Sequence, residues 1–96
     1  MKLHLHVKTE YFLAIKAGTK ITENRLVNDY WKKRLVGRDY DGVVIYNAYK
    51  PGEENRIEFP WRRWSTRTIT HKHFGTAPVD VFAIHLAPVE GMRGGE

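Results

Sequence analysis

The 96-residue chain contains no cysteine, which excludes a disulfide framework and every thiolate metal site. A cysteine-free chain suits a reducing compartment, so the cytoplasm is the expected location. No apolar run approaches the roughly 18–20 residues needed to cross a bilayer, and the opening Met1-Lys2-Leu3-His4 lacks the apolar stretch of a signal peptide. A soluble protein with no membrane partner is expected. Acidic residues are scarce in two places. Between Lys16 and Arg38 seven basic residues stand against Glu23 and Asp29, and no acid lies between Glu58 and Asp80.

What is present is a net charge of +5, with 42% hydrophobic and 12% aromatic residues. Chains of this size bury roughly 60–70% of the surface that their unfolded form exposes, so one compact domain over 1–96 is expected, with a frayed tail at 88–96. The two basic clusters, together with Trp61 and Trp64, suit a surface that meets phosphate and stacks bases. Basic stretches of small domains are also often merely solvated, so composition leaves both readings open.

Leu3, Leu5 and Val7 alternate with His4, His6 and Lys8, the period-two pattern of a strand with one buried face. Thr9 is placed to cap a helix from Glu10 to Ala17, and Gly18 to end it in the left-handed conformation. Lys20 to Leu26 reads as a turn that continues extended. Asn28 or Asp29 caps a second helix through Trp31 and Leu35, with Lys32, Lys33 and Arg34 near its carboxyl end and Gly37 as its stop. Val43 to Tyr46 reads as a central strand, then a Lys50-Pro51-Gly52 turn and a shorter strand from Arg56 to Phe59. Thr66 to His71 and Val79 to Leu86 complete the strands. The expected fold is α+β: five or six short strands, enough to curl into a small barrel, flanked by two helices.

The stretch Gly18-Thr19-Lys20-Ile21-Thr22-Glu23-Asn24-Arg25 matches G-x-K-x-x-E-x-R, and on it the chain resembles the ASCH domain family. Tyr40-Asp41-Gly42-Val43-Val44-Ile45, Pro60-Trp61-Arg62, Thr68-Ile69-Thr70-His71, His73-Phe74-Gly75 and Val81-Phe82-Ala83-Ile84 are similar to segments of small prokaryotic and phage members. The resemblance runs from residue 2 to about 86. It implies a PUA-like mixed β-barrel with an RNA-associated cleft floored by the signature loop. Some bacterial members are metal-independent amidohydrolases that release the acetyl group of N4-acetylcytidine, and another is a ribonuclease. The amidohydrolases use the signature lysine, here Lys20, with a hydroxyl or carboxylate three positions on, here Glu23.

Hydrolysing an acyl group from an exocyclic amine needs an activated nucleophile, a donor for the oxyanion and an acid for the departing nitrogen. Lys20 is expected to clamp the carbonyl oxygen and Glu23 to polarise water, with no cofactor. Because strand positions 20 and 23 would point to opposite faces, Gly18 to Thr22 is expected to be irregular, with Arg25 anchoring the loop. Glu23 and Arg25 also have the spacing of an ordinary ion pair. Thr68 or Thr70, with Thr70 preferred, would donate to the oxyanion. Tyr46, Asn47 or Tyr49 would contact the base edge or ribose, Trp64 would stack the base, and His71 would serve the leaving amine. H-x-H at His4/His6 and His71/His73 is metal-ligand spacing, but a polar strand face explains it equally, and no metal is expected.

The expected activity is removal of the acyl group from N4-acylated cytidine. The competing expectations are a noncatalytic RNA-binding module and a ribonuclease. The corresponding partner is a modified cytidine nucleoside or RNA.

Overall fold

A computed structural model describes residues 1–71 and 75–87 of the chain. They form a small α+β protein with two helices and six strands in two three-stranded sheets. The expected tail at 88–96 and the His73-Phe74 segment lie outside the described residues. No helix among those described is long and apolar enough to cross a membrane. The chain divides into two compact units: residues 1–21 with 40–61, and 22–39 with 62–96.

In the first unit β1 (Leu3–Val7) pairs parallel with β3 (Val43–Asn47), and β3 pairs antiparallel with β4 (Arg56–Phe59). The register sets Leu3 beside Val43, Leu5 beside Ile45 and Val7 beside Asn47. Strand alternation therefore collects the apolar residues of β1 on one face, which Ile57 and Phe59 of β4 extend. Helix α1 (Thr9–Ala17) buries Phe12 and Ile15, three residues apart on one side of the helix. Each buried side chain of this size contributes about 1.5–3 kcal/mol relative to exposure.

Gly18 ends α1 in the left-handed conformation at φ 83°, as its sequence position suggests. The start differs. Lys8 is the N-cap residue and its side chain makes no cap hydrogen bond. Thr9 is the first helical residue, and its hydroxyl donates to Asn47 Oδ1 at 2.7 Å. A threonine ahead of a helical run signals a cap only while its hydroxyl has no better acceptor. Here a buried amide on β3 takes it.

In the second unit β2 (Thr22–Leu26) and β5 (Trp64–Ile69) flank β6 (Val79–His85), both antiparallel. β6 is the centre strand, and Val81, Phe82, Ala83 and Ile84 are all buried, so both of its faces are covered. Helix α2 (Asp29–Leu35) is capped by Asn28, whose side chain accepts from the Trp31 amide at 2.9 Å. β5 runs two residues ahead of its expected position. Its last paired residue is Ile69, opposite Val79 at the start of β6, so Thr70 and His71 have no strand to pair with. Thr70 is exposed in irregular chain, not late in a strand.

Candidate functional site

The residues singled out by sequence fall in both units. Lys20, Tyr46 and Asn47 belong to the first, and Glu23, Arg25, Trp64, Thr70 and His71 to the second.

Residues 18–21 are irregular and β2 begins at Thr22, as the position of Gly18 and Lys20 requires. Lys20 is half-buried, with its ammonium 5.5 Å from the centre of the Tyr11 ring. Its backbone N–H donates to Ala14 at 3.2 Å, a carbonyl that also accepts from Thr19. The end of α1 thus holds the backbone of the signature.

Glu23 is buried, at 7% exposure. Its carboxylate pairs with Arg25 at 3.0 Å, and the Arg25 guanidinium lies 5.0 Å over the Trp31 ring. Alternation puts Glu23 and Arg25 on one face of β2, so a bidentate cation can lie along the strand and α2 can close over it with an indole. Removing a carboxylate and a guanidinium from water is costly even when they pair, and apolar residues of the same volume would often hold the sheet equally well. The presence of the pair is therefore weak evidence of a stabilising role. Asn24, between them, faces the opposite way, and its side-chain oxygen is buried with no hydrogen-bond partner among the described residues.

Trp64 shares the face of Glu23. Ile84 on β6 is opposite both, Glu23 on one side and Trp64 on the other. The indole N–H donates to the Leu35 carbonyl at the end of α2 at 3.2 Å, and the ring meets Phe82 edge to face at 4.8 Å. Its orientation is fixed from two sides. A cavity of about 320 Å³ opens beside it, lined by Leu35, Gly37, Arg38, Asp39, Arg63 and Trp64.

The remaining expected contacts are more dispersed. Thr68 donates its hydroxyl to Asp80 Oδ1 at 2.7 Å, while His71 is half-buried beyond the end of β5. His85, at the end of β6, has its imidazole pKa lowered by burial and, to a lesser extent, by the Arg67 charge. Asn47 is buried at 6% exposure. Its carbonyl accepts from Thr9, and its amide donates to Asn55 Oδ1 at 2.9 Å, while Asn55 Nδ2 donates to the Pro51 carbonyl at 2.8 Å. These bonds tie the end of β3 to the start of α1 and to the turn that follows β3.

Tyr46 lies on the opposite face of the first sheet from Asn47 and joins a stack of rings. His6 sits between Tyr46, at 4.7 Å, and Tyr49, at 4.3 Å, with near-parallel planes. His4 accepts or donates at Nδ1 to the Tyr46 hydroxyl at 2.8 Å, and Arg56 lies 5.9 Å over the Tyr46 ring. Parallel pairing of β1 and β3 aligns His6 with Tyr46. The H-x-H spacing is therefore one edge of an aromatic ladder. Among the described residues, no group of three or more His, Asp or Glu side chains is placed to hold a metal ion.

Sequence reasoning did not find Trp31 as the cover of the Glu23–Arg25 pair, nor the cavity. Neither follows from local spacing, since Trp31 on α2 lies over Arg25 on β2 and Arg38 and Arg63 are brought together by tertiary pairing. No family model matches the chain, and no curated protein or solved structure matches it significantly.

Proposed function

We propose that the protein is an ASCH-like, metal-independent amidohydrolase that removes the acyl group from N4-acylated cytidine. The observation that carries this reading is Glu23: a buried carboxylate, oriented by Arg25, at the glutamate position of the G-x-K-x-x-E-x-R stretch. The irregular chain ahead of β2 and the strand-helix order that begins the sequence also support it. The fold that this reading implies is a PUA-like barrel.

In the proposed reaction Glu23 accepts a proton from water as the water oxygen attacks the acyl carbonyl carbon. The Lys20 ammonium stabilises the resulting oxyanion. Lys20 and Glu23 are three positions apart, with Ile21 and Thr22 between them, so chain connectivity alone keeps their Cα atoms within about 11 Å. Collapse of the tetrahedral intermediate breaks the bond from carbon to N4, and the proton held by Glu23 passes to the departing nitrogen. The products are cytidine and the free carboxylic acid. His71 and Thr70 are the proposed auxiliary groups for the leaving amine and the oxyanion, and Trp64 that for the base; Tyr46 and Asn47, on opposite faces of the first sheet, take no part in the proposed reaction.

The test is release of cytidine from N4-acetylcytidine and its longer acyl homologues. Wild-type protein turns over at least one, and Lys20→Ala and Glu23→Gln lose at least about a hundredfold while keeping a cooperative thermal transition. Unchanged substrate at high protein concentration, across the acyl series, refutes the reading.

The ladder of His6, Tyr46 and Tyr49 with Arg56 favours a second reading, a noncatalytic RNA-binding module. Stacked rings with a cation at one end suit unpaired bases. Salt-sensitive binding of a single-stranded oligonucleotide, without turnover, supports this alternative.

A further inference from the structure

The cavity beside Trp64 combines three kinds of wall. Trp64 and Leu35 supply apolar surface, Arg38 and Arg63 supply two guanidinium groups, and Asp39 supplies a carboxylate. All six lining residues belong to the second unit. Its volume of about 320 Å³ falls at the lower end of the range for small-molecule sites, roughly 300–1,000 Å³.

Two features give the cavity a directed character. The indole N–H is engaged by the Leu35 carbonyl and the ring meets Phe82 edge to face, so Trp64 is held as a fixed wall of the cavity. Arg38 Nε donates to the Lys33 carbonyl at 3.1 Å, which ties the root of that side chain to the end of α2. Its terminal nitrogens extend beyond the tether.

Arg63 is held at φ 63°, in the left-handed region where a residue with a side chain is strained and glycine is not. Its carbonyl accepts from the His85 amide at 3.0 Å, which extends the pairing of β5 and β6 by one bond. A glycine would make the same backbone bond at lower conformational cost, so the strain is attached to the guanidinium. That group meets Asp39 at 3.5 Å with both side chains 73% exposed. Such a pair is weak and can open to admit an anion.

We infer that this cavity binds a nucleoside monophosphate unit, with the base against Trp64, the phosphate on Arg38 and Arg63, and a base or ribose donor on Asp39. A flat ring alone would leave both guanidiniums unused, and inorganic phosphate alone would leave the indole unused. The unit comes either from a free nucleotide or from the phosphorylated end of a strand. The inference does not depend on hydrolysis at Glu23.

The test is titration of the intact protein with CMP, cytidine, inorganic phosphate and a 5′-phosphorylated oligocytidylate, followed by calorimetry and tryptophan fluorescence. CMP is expected to bind about tenfold to a hundredfold more tightly than cytidine, the range for charge-assisted hydrogen bonds to phosphate. Arg38→Ala with Arg63→Gly removes that difference. Because Arg63→Gly relieves the left-handed strain, the thermal midpoint of that single variant stays level or rises while its CMP affinity falls. Equal affinity for oligonucleotide and CMP assigns the site to free nucleotides, and tighter binding of the phosphorylated oligonucleotide assigns it to strand ends. Equal affinities for CMP and cytidine, no saturable binding of CMP, or unchanged CMP affinity in the double variant overturns the inference. Cytidine release from N4-acetylcytidine is scored separately, so loss of the hydrolytic reading leaves this result standing.

Discussion

Glu23 and Trp64 flank Ile84 on one face of the second sheet, each directly opposite it across an antiparallel pair. Two strand spacings separate them, about 10 Å. A buried carboxylate and an oriented indole are thus mounted on a three-stranded support, and Val81 to Ile84 of the central strand between them are buried. Their spacing is fixed by hydrogen-bond register and does not depend on a loop.

The Glu23–Arg25 pair separates stability from activity. Glu23→Gln leaves a guanidinium that is largely buried without its counter-charge and is expected to cost about 3 kcal/mol, measured by denaturant unfolding. Replacing both together, Glu23→Leu with Arg25→Met, is expected to recover most of that loss but none of the hydrolysis. Activity surviving in the double variant would remove Glu23 from the chemistry.

Asn47 is predicted to act through the fold. Its amide bonds Thr9 and Asn55, so Asn47→Ala leaves partners without their hydrogen bonds and is expected to lower stability by about 1–3 kcal/mol. A fall in thermal midpoint at unchanged KM would mark it as structural. A rise in KM at unchanged midpoint would return it to the substrate.

The cap on α2 can be tested alone. Asn28→Ala removes the acceptor for the Trp31 amide and is expected to destabilise by about 1 kcal/mol. Asn28→Ser or Asn28→Asp should restore most of it.

His85 makes the second unit sensitive to acid. Burial first, and the Arg67 charge second, hold its imidazole pKa below its ordinary value of about 6.5. As pH falls, the unfolded chain takes up this proton before the folded chain does, so stability begins to drop below about pH 6.5 and stops dropping once the folded imidazole has also protonated. His85→Gln is expected to flatten that part of the profile, measured as thermal midpoint against pH. An unchanged slope would assign the acid sensitivity to other groups.

Most elements were legible because their signals are local. The alternation of Leu3, Leu5 and Val7, the Asn28 cap and Gly18 as a terminator each act within a few residues. β5 was misplaced because its ends are decided by partner length: Thr66 to His71 has strand composition, but β6 begins opposite Ile69. Thr9 has the composition of a cap and is diverted by Asn47, 38 residues away. At the site, the Glu23–Arg25 pair followed from i, i+2 spacing on a strand. The Arg38, Asp39, Arg63 and Trp64 wall had no such spacing, since residues 25 apart in sequence meet there only after β2, β5 and β6 have paired.

The order of the strands also governs when this protein can take shape. The middle strand of the second sheet, β6, is the last regular element of the described chain. Both of its neighbours, β2 and β5, leave the ribosome earlier and have nothing to bond to until Val79–His85 follows them. The second unit therefore assembles only once Val79–His85 has been made, and a message truncated before that segment yields two orphan strands with open edges prone to self-association.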